Sequence, residues 1–170
     1  SFAARFGEPM AYPQLKGLAE CPLVTPVVKR EHERHNFGGV WHTDTSYLDE
    51  PPMASMLYAL ELAPYGGDTL FASQYAAYEA LSEGLRAALD GHIGVNSPAK
   101  AEVTRSREDR LREAGVESKV LTGRHPIVRT HPETGRKSLY MSLGHTVRFE
   151  GWSDEGGKAL LVYLFAHQVD

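Results

Sequence analysis

The chain carries 170 residues, 42% of them hydrophobic and 24% charged, with a formal net charge of −4, the composition of an ordinary globular domain with one core. Its Lys and Arg residues are scattered rather than gathered into a stripe, which argues against a dedicated nucleic-acid binder. The longest apolar stretches, such as 160–166, fall far short of the ~20 residues of a membrane-spanning helix, and no charged-then-apolar leader opens the chain. The expectation is a cytoplasmic protein that buries roughly two thirds of its unfolded surface.

The chain opens on Ser1-Phe2-Ala3-Ala4 rather than Met, and Phe2, Ala3 and Phe6 ahead of Gly7-Glu8-Pro9 read as the last turn of a helix begun earlier, so it is read as a fragment. Cys21 has no second cysteine to pair with and no CxxC to build a thiolate site; it is expected as a half-buried small side chain. Residues 22–30 are short and β-branched and predict a strand, with Pro26 at an edge or bulge. Residues 31–34 form a charged loop. In 40–47, Trp41, Thr43 and Thr45 alternate with His42, Asp44 and Ser46, which predicts a strand leaving into a rigid Pro51-Pro52 turn.

Residues 53–62 are apolar and of a length that suits a buried strand, although periodicity alone leaves a helix open. Gly66-Gly67-Asp68 predicts a turn, 69–72 a short strand, and Ser73 an N-cap for a helix over 74–81. Ser82 caps a second helix to Leu89, stopped by Asp90-Gly91, and 92–95 follow as a strand. Residues 100–117 are dense in Arg, Glu and Asp and predict a solvated helix or mobile loop, with a lid over a site as the functional alternative. Pro132-Glu133-Thr134-Gly135 joins two β runs, 126–131 and 137–142, as a hairpin. A last helix starts at Ser153, with Leu160, Leu161, Leu164 and Phe165 on one face. With no internal repeat, the pattern is a β-rich core with helical insertions, in a single domain.

His42 and Asp44 carry the chemistry. Side chains two apart on a strand share a face and reach one metal together, and non-haem iron(II) oxygenases use two His and one carboxylate in that facial arrangement. Alone, His-x-Asp in a chain with eight His is a weak signal. The context is stronger. Trp41-His42-Thr43-Asp44-Thr45, Pro51-Pro52, Gly66-Gly67-Asp68-Thr69-Leu70-Phe71, Ala76-Ala77-Tyr78-Glu79-Ala80-Leu81, His125 to Pro132, Gly135 to Tyr140 and the helix over 160–167 resemble, in order, the iron(II)/2-oxoglutarate-dependent dioxygenases of the taurine and 2,4-dichlorophenoxyacetate dioxygenase family.

The resemblance implies a double-stranded β-helix (jelly roll), incomplete in this chain, with Fe(2+) as metal and 2-oxoglutarate as co-substrate. By it, His42 and Asp44 are iron ligands and Thr69 donates its hydroxyl to 2-oxoglutarate. His145 lies at a family position beside the substrate, where an imidazole would donate to an anion. Partners are a small organic acid, a sulfonate or an aryloxy or alkyl carboxylate, and molecular oxygen, with succinate and carbon dioxide released; a homo-oligomer is expected.

In the family, the second iron histidine and an arginine that pairs with 2-oxoglutarate lie beyond the position of Asp170. The alternative that follows is a non-catalytic binding module retaining the fold. Asn36, Phe37, Trp41 and Tyr47 flank the metal residues as pocket lining or plain core. His125 and His131 are read as scaffold, and His32, His35, His92 and His167 as surface or hydrogen-bonded residues. Gly38-Gly39 lacks the context of a phosphate loop.

Overall fold

The computed structural model describes residues 2–13, 17–29, 31–32, 38–98 and 121–170. The charged segment at 100–117, with its lid reading, lies outside them, as do His35, Asn36 and Phe37. After a 3-10 turn at Ala3–Arg5, the elements in chain order are α1 (Gln74–Ala80), α2 (Glu83–Leu89), β1 (Ile93–Asn96), β2 (Gly123–Pro126), β3 (Val128–Thr130), β4 (Lys137–Leu139), β5 (Thr146–Phe149) and α3 (Asp154–His167).

Each helix begins where a serine hydroxyl accepts an otherwise unpaired amide. Ser73 accepts from Ala76 N (3.3 Å), Ser82 from Leu85 N (3.3 Å) and Ser153 from Gly156 N (3.1 Å), as N-caps do. Asp154 and Glu155 stand in the first turn of α3 and His167 in its last, signs that suit the helix dipole.

The strands form two antiparallel sheets, one ordered β2-β1-β5 and one pairing β3 with β4. Val128, Arg129 and Thr130 face Leu139, Ser138 and Lys137, and Gly135 closes the hairpin with φ 69°, where glycine bears no Cβ penalty. The run expected over 126–131 is split. Ile127, fully buried, gives its N–H to His92 O (2.9 Å) and its C=O to Tyr140 N (2.7 Å), so the chain bends there from one sheet into the other.

The core joins Leu81, Leu89, Ile127, Leu139, Met141, Phe149, Leu161 and Leu164. α1 packs on β4 and α3 on β5. His167 Nε2 donates to Ala77 O (2.8 Å), and the Gln168 amide donates to Gln74 Oε1 (2.6 Å) and Met141 O (2.9 Å), locking the two helices together. Within α3, Leu161 and Leu164 are buried and Leu160 and Phe165 partly so, as its apolar face predicts.

Four predicted strands, 22–30, 40–47, 53–62 and 69–72, do not form among the described residues. Cys21 to Val24 turn tightly, with Val24 N bonded to Cys21 O (2.9 Å) and Leu18 N to Val24 O (2.9 Å), 24–29 have no strand geometry, and Cys21 is exposed rather than half-buried. Residues 53–62 and 69–72 have no strand geometry and are strongly exposed, Leu57 at 92% and Phe71 at 90%. β propensity is realised only against a neighbour that takes up the backbone N–H and C=O groups in a ladder, and 53–62 and 69–72 pair with no described strand.

Among the described residues, no helix is long and apolar enough to cross a membrane. The division between core and ribbon is measurable by urea unfolding. Phe149→Ala, at a fully buried site, is expected to cost about 3–5 kcal/mol. Leu57→Ala, out on the ribbon, is expected to change stability by less than about 0.5 kcal/mol.

Candidate metal centre

His42 and Asp44 do come together, but not on a strand. Residues 44–47 form a turn closed by Leu48 N to Thr45 O (2.9 Å), and Thr45 sits at φ 50°. A β-branched residue in the left-handed region is strained, by about 1–3 kcal/mol, and persists only where its surroundings impose it.

Those surroundings are close backbone contacts. A Cβ on Gly123 would lie 2.6 Å from Ser46 O and 2.8 Å from Leu48 O, and a Cβ on Gly144 would lie 2.7 Å from the His42 Cβ. Only glycine lets β2 and the 142–145 loop approach so near. Gly144 N also donates to Trp41 O (3.0 Å), and His125 Nε2 donates to Leu48 O (2.8 Å). His125 is thus a satisfied scaffold histidine. His131 is likewise satisfied, its Nδ1 accepting from Glu133 N (3.2 Å) and Thr134 N (3.3 Å).

The tautomer of His42 follows from its partners. Nδ1 lies 2.7 Å from Val40 O, and a carbonyl only accepts, so Nδ1 carries a proton. In the neutral ring Nε2 is then an acceptor, yet it faces Asp44 Oδ1, another acceptor, at 3.2 Å. Two lone pairs so placed call for a positive charge between or upon them. A proton on His42 supplies one, and a divalent cation supplies another. Donors each about 2.1 Å from a shared ion at a right angle are about 3.0 Å apart, so the pair fits two adjacent metal positions. The side chains are 30% and 59% exposed, and the Ser55 hydroxyl donates to Asp44 Oδ2 at 3.0 Å.

His145 is buried, with its ring edge-on to His42 at 6.2 Å and to Tyr47 at 5.1 Å. Tyr47 is core, its hydroxyl donating to Tyr12 (3.1 Å), whereas Trp41 is 38% exposed. Thr69 follows Gly66 (φ 76°) and Gly67 (φ 77°), but residues 66–70 form no hydrogen-bonded turn, and Thr69 is exposed. Among the described residues it makes no hydrogen bond to His42, Asp44 or His145, and no group of three or more His, Cys, Asp or Glu is placed to hold a metal. Ser55, the strain at Thr45 and the requirement for Gly144 had no signal in the sequence, because each arises from chain segments that meet only after folding.

The model of the taurine catabolism dioxygenase TauD, TfdA family matches residues 1–170. The chain belongs to this family. An alpha-ketoglutarate-dependent sulfate ester dioxygenase of Pseudomonas putida is 32% identical across 98% of the chain and 56% of its own length. A taurine dioxygenase structure from Burkholderia xenovorans superposes with a TM-score of 0.74 at 32% identity, covering 99% of this chain and 53% of that one. The structure of AAD-2 with Mn(II) and N-oxalylglycine matches with a TM-score of 0.66 at 26% identity, covering 84% and 53%. The chain spans from about a third to just over half of the length of the relatives it matches, with the family's fold in the part it shares with the solved structures.

Without metal, the pair is tuned by its own contact. The hydrogen bond to Asp44 raises the His42 pKa above its ordinary 6.5, against desolvation and with help from Val40 O. The same bond lowers Asp44 below 3.8, against desolvation and with help from Ser55. A raised histidine stabilises fully below 6.5, and its contribution is lost as pH rises through the raised value; a lowered carboxyl stabilises fully above 3.8, and its contribution is lost as pH falls through the lowered value. The window thus runs from the lowered Asp44 value to the raised His42 value. NMR titration of the His42 ring is expected to give a midpoint above 6.5 that falls in Asp44→Asn; an unchanged midpoint contradicts the pairing. Gly144→Ala is expected to cost about 1–3 kcal/mol in urea unfolding, because the new methyl group meets the His42 Cβ.

Proposed function

We propose that this protein is an iron(II)- and 2-oxoglutarate-dependent dioxygenase that hydroxylates a small organic acid. The observation that carries the reading is the facing of His42 Nε2 and Asp44 Oδ1 at 3.2 Å with Nδ1 already committed to Val40 O. Membership of the TauD, TfdA family and the AAD-2 likeness support both the metal and the co-substrate. The chemistry that iron(II) and 2-oxoglutarate supply when bound is hydroxylation of a substrate C–H bond by dioxygen, with 2-oxoglutarate cleaved to succinate and carbon dioxide.

The chain's own residues prepare that chemistry. His42 and Asp44 provide two of the metal donors, one neutral and one anionic, which reduces the charge of a divalent ion while leaving other positions open. The Nδ1–H bond to Val40 O keeps the Nε2 lone pair aimed at the metal. Thr69 is assigned the hydroxyl that donates to the 2-oxoglutarate carboxylate, since a carboxylate leaving water needs donors. The Gly66-Gly67-Asp68-Thr69 motif that Thr69 closes supports that role.

His145 is assigned to the anionic group of the substrate, a sulfonate, sulfate ester or carboxylate. Its ring lies 6.2 Å from that of His42, a proximity that supports this assignment. The names of the taurine and sulfate ester relatives support that substrate class. The whole protein is proposed to take the family's double-stranded β-helix and to act as a homo-oligomer.

The test is anaerobic addition of iron(II) and 2-oxoglutarate, followed by the visible metal-to-ligand charge-transfer band. The band is expected in the parent and lost in Asp44→Ala, and substrates are then screened by succinate release. A folded parent with no band would overturn the oxygenase reading and favour a binding module.

A further inference from the structure

Asp44 reaches the metal side of His42 through one oxygen only. The terminal torsion of an aspartate is soft and nearly two-fold, so nothing within the residue itself decides which oxygen faces the imidazole or whether both do. A second contact is needed, and it comes from eleven residues downstream. Ser55 Oγ donates to Asp44 Oδ2 at 3.0 Å, while Oδ1 stands 3.2 Å from His42 Nε2. The two oxygens are thereby distinguished, one engaged by a hydroxyl and one left for the metal.

We propose that Ser55 is a positioning residue that aims Asp44 at the metal as a single-oxygen donor. The proposal rests on the reading of His42 and Asp44 as metal donors and adds the group that orients one of them. The contact is not an incidental product of burial. Met53 is 78% exposed and Leu57 92%, so packing does not hold this stretch. Among the described residues, Ser55 makes the one hydrogen bond that 53–62 form. Pro51 and Pro52 precede it, and their fixed φ angles narrow the paths by which the chain can turn back over Asp44. Partners of metal-ligating groups set both the orientation and the basicity of the ligand they touch. A hydroxyl donated to Oδ2 locks the carboxylate plane and leaves Oδ1 with its lone pairs unshared.

The experiment is anaerobic titration of the protein with cobalt(II), a visible-absorbing stand-in for iron(II), in the parent, Ser55→Ala, Ser55→Thr and Asp44→Ala. Far-UV circular dichroism serves as the folding check. Ser55 lies on the exposed ribbon, so its variants are expected to keep the parent spectrum there. Ser55→Ala is expected to bind cobalt(II) about 10- to 100-fold more weakly and to shift the d–d absorption as the freed carboxylate changes its mode of binding. Ser55→Thr, which keeps the hydroxyl, is expected to stay within about threefold of the parent. Parent-like affinity and spectrum in Ser55→Ala, with binding lost in Asp44→Ala, would overturn the role of Ser55 alone. No binding by the folded parent would overturn the metal reading, and the Ser55 role with it.

Discussion

The turn that follows His42 is held by backbone contact rather than by its own preference. Thr45 at φ 50° is a conformation that a β-branched residue leaves unless it is confined. The confinement comes from β2, whose Gly123 lies against the carbonyls of Ser46 and Leu48, and from the loop before β5, whose Gly144 lies against His42. The His125 hydrogen bond to Leu48 O adds a directional tie. Strain at this turn is offset by the packing of the sheet, so the positions of the His42 and Asp44 side chains are a property of the whole β2-β1-β5 layer.

The electrostatics of the centre follow from that placement. Once Nδ1 of His42 is spent on Val40 O, the facing of Nε2 and Oδ1 is favourable only with a positive charge present. A proton and a metal bound by the proposed pair would therefore compete for one position. Without metal, the contact raises the His42 pKa and lowers that of Asp44, and a cation held by the proposed pair would displace the proton from Nε2. The Ser55 contact belongs to the same arrangement, since it decides which carboxylate oxygen meets that charge.

The remaining architecture is divided. One part is a packed core in which α1 and α3 cover the strands and the Gln168 and His167 hydrogen bonds join the helices. The other is the apolar ribbon from Met53 to Phe71, with side chains of strand-forming type but without strand geometry. An apolar stretch of this extent is unusual on the surface of a monomeric domain, and it runs from Pro51-Pro52, just after the His42 and Asp44 segment, to Gly66-Gly67 before Thr69.

By itself the sequence determined whatever depends on near neighbours in the chain. The three serine caps, the Asp90-Gly91 stop, the Gly135 hairpin and the apolar face of α3 were all legible, because a cap or a turn is settled by residues within about four positions. The pairing of His42 with Asp44 and the family were legible too, since they are carried by local motifs and their order. Tertiary structure alone decided the rest. The strands at Gly123–Pro126 and Thr146–Phe149 were not read from the sequence, whereas 22–30, 40–47, 53–62 and 69–72 were read as strands and their described residues form none. A strand exists only where another chain segment accepts its hydrogen bonds, and no local pattern states where that segment lies. The same reason hid Ser55 and Gly144: their roles are made by close approach across the fold, a distance that the chain acquires only when it packs.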